Sequence, residues 1–376
     1  MILAHGVGGR ADLPLSLTLV SYAASAILLV TFGALAWLWP RPRWQEPIAG
    51  ATLPKGLDVG LRAIAIPVRI AIFAFFALAV VASFIVPPTF ARSIAPFAVY
   101  VILWVGFLFA SGLIGDLWAA IGPTSALARL RLRAERDYTF GHWPAAAGLI
   151  AFTWLELVYS IENNGARPLA VALTIYIVAT LVGCLLWGRT WLREGDLFGA
   201  TFRLLSYMAP FYRDDAGKLR VRPPLVGLPG MPVTRGTVAL VMVALGSTTF
   251  DGFSRTRVWL SLAGDGGLII NSLGLIWTIG AVYALYRLAV SAMPMLAGIA
   301  KDERDPDAMA ESFLHSLVPI AFAYAVAHYF SLLVFEGETT VGIASDPFGR
   351  GWNLFGTRGW APTYQELSAN AIAYVQ

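Results

Sequence analysis

The segment HSLVPIAFAYAVAHYFSLLVFEGE, residues 315–338, sets two histidines and two glutamates in an otherwise apolar run. His328 lies well inside it. An ionisable group in such surroundings is a functional candidate by default. Candidate partners come from other parts of the chain: Glu156 in FTWLELVYS, Asp251 in GSTTFDGFS, Glu336 later in the same run, and His5 in AHGVGGRADLP. Histidine and carboxylate ligands with one open position suit a hydrolytic divalent metal ion, which makes bound water acidic. A neutral histidine beside a carboxylate can instead act as a general base with no metal. His328 and Glu156 are therefore the catalytic candidates. The metal-ligand candidates are His328, Glu156, Asp251, His5 and Glu336.

Spacing narrows the choice. His315 precedes His328 by about 20 Å of helix and lies on nearly the opposite face, so the two cannot share an ion. Glu336 follows His328 by about 12 Å along the axis and about 80° around it, which makes it a neighbour of the site more than a direct partner. Glu156 is the better partner. Further polar groups stand close to these candidates in sequence: Glu162, Asn163 and Asn164 after Glu156, and Asp265 and Asn271 after Asp251.

The elements that must position these groups follow from composition. The 376 residues are 57% hydrophobic and only 13% charged, about half the charge of a soluble domain, and mean hydropathy is +0.67. Apolar runs near 16–39, 64–86, 94–115, 144–160, 168–188, 234–253, 267–291 and 312–336 approach the length needed to cross a bilayer core. A ninth run begins near Ser368 and meets the end of the sequence before it is long enough to cross. The expected fold is an all-α polytopic transmembrane helix bundle in one integral membrane domain, residues 1–376. The N-terminal stretch MILAHGVGGRADLP lacks a basic start, so the first run reads as a retained anchor.

Arginine and lysine cluster after the first, third and fifth runs, as in ARLRLRAER, and are sparse in the alternate loops. The positive-inside rule then puts the N-terminus outside. Glu156, Asp251, His328, Glu336 and His5 all fall in the outer half, where converging spans would make an outward-facing polar cavity. Residues 1–15 read as an external segment. The basic loop 189–233 reads as cytoplasmic, with an amphipathic helix in GDLFGATFRLLSYMAPFY lying flat at the interface. Residues 337–367 read as an external aromatic-rich cap. Arg69 and Arg287 read as snorkelling toward the cytoplasmic side. No internal repeat stands out. The net charge of +4 lies in loops and sets orientation, with no nucleic-acid signal, and the single Cys184 precludes an internal disulfide.

Six segments, AHGVGGRADLP, GDLW at 115–118, WLELVY at 154–159, GSTTFDGFSRT at 246–256, HSLVPIAFAYAVAHYFSLLV at 315–334 and SDPFGRGWNLFGT at 345–357, resemble in order a family of bacterial multi-spanning membrane proteins labelled fenitrothion hydrolase. The resemblance runs along essentially the whole chain. It implies hydrolysis of an organophosphate triester in the bacterial cytoplasmic membrane and a complete final span. His5, Glu156, Asp251, His328 and Asp346 fall within the matched segments. Three functions are open on the sequence: a membrane-embedded phosphoester hydrolase, a transporter with an inner gate near His142 and His315, and a non-catalytic subunit of a larger membrane assembly.

Overall fold

A computed structural model describes residues 17–38, 46–86, 93–129, 137–159, 166–264, 267–296, 298 and 305–360. The described chain is an all-α bundle with one small sheet. Helices are labelled α1 (Leu17–Leu38), α2 (Lys55–Ile85), α3 (Ile94–Leu113), α4 (Leu117–Ile121), α5 (Trp143–Tyr159), α6 (Ala166–Gly195), α7 (Leu197–Ser206), α8 (Arg235–Phe253), α9 (Arg257–Ala263), α10 (Leu268–Leu296) and α11 (Pro306–Ala344). A helix occupies each of the eight expected apolar windows. Six of them, α2, α3, α6, α8, α10 and α11, are long and apolar enough to cross a membrane, while α5 is shorter. His5, Glu162, Asp265 and the run near Ser368 lie outside the described residues.

Strands β1 (Ala51–Thr52), β2 (Phe211–Arg213) and β3 (Leu219–Val221) form an antiparallel sheet in the order β1-β3-β2. The tight β2–β3 turn closes at Asp214, whose Oδ1 accepts from Lys218 N at 2.9 Å, with Gly217 at φ 72°. Asp58 of α2 binds Arg213 at 2.6 Å and Arg62 at 3.1 Å, which fastens α2 to the sheet. The two basic loops expected on one side of the membrane thus meet in one structure.

The stretch read as an interfacial helix does something else. Of the ten residues of α7, eight are buried, among them Phe198 and Phe202. The chain turns back at Gly188, with φ 60° and ψ −136°, and passes a π-helical turn at Trp191–Gly195 before α7 begins. The aromatic rings of Trp104, Phe107, Trp118, Phe152, Phe198 and Phe202 then pack with centroids 5.1–6.4 Å apart. An apolar face of this size is driven inward by burial, whatever its charged flanks suggest in sequence.

GDLW at 115–118 and GDLF at 195–198 each follow a long apolar helix and each open a short one, buried along most of its length in α7 and at Trp118 in α4. Asp116 caps α4 by accepting from Ala119 N at 3.0 Å, and Asp196 caps α7 by accepting from Gly199 N at 2.7 Å. An arginine closes the other end of each. Arg69, read in sequence as snorkelling toward the cytoplasmic side, is buried and donates to Ala120 O. Arg222 donates to Tyr207 O at 3.1 Å and to Ala209 O at 3.4 Å. Upstream, ARSIAPFAVYVILWVG at 91–106 parallels ARPLAVALTIYIVATLVG at 166–183. The two short helices meet through Trp118 and Phe198, with centroids 5.5 Å apart.

Helix α11 carries the histidine singled out in sequence. Asp305 caps it by accepting from Asp307 N and Ala308 N, and Pro306 occupies its first turn. Asp307 pairs with Arg235 at 2.6 Å and with Arg287 at 2.7 Å, joining the starts of α8 and α11 to the end of α10. Arg287 is thus used in an ion pair. The helix continues past Glu336 to Ala344, so residues 337–344 of the expected cap are helical.

Candidate functional site

Helices α5 and α8 run side by side in matched register. His142, at the head of α5, bonds through Nδ1 to Thr237 Oγ1 of α8 at 3.1 Å, across a sequence offset of 95. The same offset separates Glu156 from Asp251, near the far ends of the two helices. This register delivers two buried carboxylates, each 1% exposed, to the end of the bundle opposite the sheet. Glu156 sits on a π-helical turn, Leu155–Tyr159, a local widening common at functional positions.

Asp251 is the hub. Its Oδ1 accepts from Arg255 Nη2 at 2.5 Å, one helical turn on. Its Oδ2 lies 2.6 Å from His328 Nε2 and accepts from Tyr329 Oη at 3.3 Å. The His328 ring stands edge-on to Tyr329, with centroids 4.7 Å apart. Tyr324, one turn earlier, donates to Thr248 O at 3.2 Å. Glu156 lies within the electrostatic reach of Asp251 and Arg255, and Tyr100 of α3 within that of Glu156. His328 and Arg255 side chains are each 19% exposed, whereas Asp251 is sealed. The site is a buried carboxylate whose partners Arg255 and His328 are partly exposed at the bundle surface.

The structure therefore unites three of the five candidates: Asp251 and His328 in direct contact, with Glu156 in their field. Glu336 is buried on the same helix, and its backbone carbonyl accepts from Thr340 Oγ1 at 2.6 Å. Asn271 accepts from Trp259 Nε1 at 3.2 Å. Among the described residues no group of three or more His, Cys, Asp or Glu side chains converges as a metal site. Both Asp251 oxygens are engaged by Arg255, His328 and Tyr329, and Nε2 of His328 is engaged by Asp251.

Arg255, Tyr329 and Tyr324 were absent from the candidates read in sequence. Arg255 was accessible there, because an arginine four residues after an aspartate on one helix meets it directly. Tyr324 and Tyr329 flank His328 on its own helix, but tyrosine is so common in spans that type and spacing alone do not mark it.

The polar groups expected at an inner gate are occupied. His315 Nε2 contacts Met231 O at 3.1 Å. His142 is buried against Thr237, and burial, with the Arg203 charge adding to it, holds its imidazole down to about 4. At the opposite end, residues 345–360 are ordered around Asp346, which accepts from Arg350 N and Gly351 N, both at 2.8 Å. Trp352, Leu354, Phe355 and Trp360 remain exposed on that loop.

Comparison with protein-family models, with curated proteins and with solved structures found no match. The geometry of the Asp251 cluster is therefore the main guide to function.

Proposed function

We propose that the chain is a multi-pass protein of the bacterial cytoplasmic membrane, N-terminus outside, that hydrolyses a phosphoester at an outward-facing site by general-base catalysis. The observation that carries this reading is the 2.6 Å contact between His328 and Asp251. A carboxylate on one imidazole nitrogen fixes the ring and stabilises the imidazolium that forms when the dyad takes a proton from water. Arg255 holds the same carboxylate and brings a cation close to where negative charge develops on a phosphoryl oxygen. The partial exposure of His328 supplies the route for water. The family resemblance names the phosphoester.

The test is turnover of a nitrophenyl phosphotriester by purified protein in detergent. Wild type is expected to release nitrophenol, and His328→Asn and Asp251→Asn to lower kcat/KM by about 100-fold or more while keeping the wild-type elution profile. Absence of turnover in wild type, or equal rates in all three, overturns the reading.

A transporter is the second reading, favoured by the short helices α4 and α7 that follow long apolar ones, since interrupted helices line the substrate sites of secondary transporters. Here Asp116 and Asp196 close both half-helix N-termini against a substrate anion. Turnover in detergent, where no gradient exists, separates the two readings.

A further inference from the structure

Residues 345–360 fall in the segment expected to cap the outer face, yet Trp352, Leu354, Phe355 and Trp360 are exposed there. A lid over a polar cavity would bury such side chains. The segment is nonetheless tightly built. Asp346 accepts from Arg350 N and Gly351 N, both at 2.8 Å. Ser345 Oγ accepts from Phe355 N at 3.1 Å and from Thr357 N at 3.3 Å. Asn353 Oδ1 accepts from Arg358 N at 3.0 Å, and Thr357 Oγ1 donates to Val341 O of α11 at 2.9 Å. Many of its backbone donors are thus met from within the segment, as irregular chain beside lipid requires.

Beside it lies an apolar groove of about 260 Å³, lined by Phe75 of α2, Ile102 of α3, Gly337, Val341 and Ala344 of α11, and Phe355 of the loop. Thr340 also lines it, and its hydroxyl is spent on Glu336 O at 2.6 Å. On the membrane-length helices that wall the groove, Ile70, Phe73 and Val81 of α2 and Val341 of α11 are exposed. Phe75 stands about 15 Å along α2 from Ile85, within the apolar run 64–86, so the groove reaches hydrocarbon depth. Arg350 and Arg358 are exposed on the loop, and the Arg350 guanidinium lies 5.8 Å from the ring centroids of Phe348 and Trp352. Indole and guanidinium groups together suit the headgroup zone, where each meets both hydrocarbon and polar surroundings. We infer that residues 345–360 and the groove beside Phe355 form a docking surface for bilayer phospholipid, with an acyl chain in the groove and both arginines at the level of the phosphates. Two features favour lipid over a protein partner. The groove is walled by helices whose exposed apolar side chains belong in lipid, and the loop sets two cations against phosphate while Asp346 is taken up by backbone donors. The inference needs the protein in a bilayer and is independent of hydrolysis.

The probe is phosphatidylcholine brominated along one acyl chain, mixed into nanodiscs of unbrominated phosphatidylcholine that hold the purified protein. Bromine quenches tryptophan on close approach, and the emission of Trp352 and Trp360 is read by difference from Trp352→Phe and Trp360→Phe. Bromolipid is expected to quench that emission at least twofold, and aqueous iodide far less. Phe355→Asp sets a charge against the groove and is expected to cut the bromolipid quenching by half or more, whereas Phe355→Leu keeps it. Both substitutions fall on an exposed side chain, which separates lost docking from lost folding. Quenching by iodide alone puts the surface in water, and quenching by neither puts it under protein. Either result, or equal bromolipid quenching in Phe355→Asp and wild type, overturns the inference. Phosphotriester turnover bears only on the hydrolase reading, so the two fail separately.

Discussion

Asp251 shows how a single side chain can be both anchor and instrument. Its carboxylate is sealed while its partners Arg255 and His328 are partly exposed. Removing it leaves a partly buried guanidinium with its close partner gone, so Asp251→Ala is expected to lower stability by about 3 kcal/mol, and Asp251→Asn by clearly less, measured as thermal unfolding in detergent. The sequence identified Asp251, His328 and Glu156 by type and depth but not their pairing, because the 95-residue register between α5 and α8 is set by tertiary packing. Arg255 was legible and overlooked. His142 gives a second test at this scale. Its imidazole is held down to about 4 from an ordinary 6.5, so between those values the unfolded chain binds a proton that the folded one refuses. Stability therefore falls as pH drops from 6.5 toward 4, by an amount on the order of 3 kcal/mol. The same melting series on His142→Gln should show a shallower fall.

Among the elements, α7 departs furthest from its reading in sequence. Its flanking arginines and alternating character suggest a surface helix, yet Phe198, Phe202 and Leu205 lie in the aromatic core. What decides the matter is invisible in linear order: the reversal at Gly188 and the caps supplied from a distance. Asp196 accepts from Gly199 N, Tyr176 Oη and Thr180 Oγ1 within 2.9 Å. Asp196→Ala strands three buried donors and is expected to lower stability by about 3 kcal/mol, with Asp196→Asn near half of that, read from denaturation midpoints. Asp116→Ala, at the matching place in α4, loses the bond from Ala119 N and is expected to cost about 1 kcal/mol. The end of α11 was misjudged for a related reason. Glu336, Gly337 and Glu338 look like a boundary, but Thr339 and Thr340 bond back to Phe335 O and Glu336 O and the helix runs on.

For the whole molecule, hydropathy was the readable quantity. Each of the eight apolar windows among the described residues became a helix, because a long apolar run in lipid can satisfy its backbone only within itself. The proposed orientation makes a direct prediction. With Cys184 replaced by serine, Arg358→Cys should react with a membrane-impermeant maleimide in intact cells, and Lys218→Cys should react only after the membrane is opened. The reverse pattern inverts the topology and moves the Asp251 site to the cytoplasmic side. A last consequence concerns the order in which the chain is made. The carbonyls of Tyr207 and Ala209, just past α7, are covered by Arg222, a residue that leaves the ribosome well after Ser206 and packs over Gly227, later still. A nascent chain ending at α7 therefore lacks that arginine, and this cover forms only once synthesis has passed residue 222.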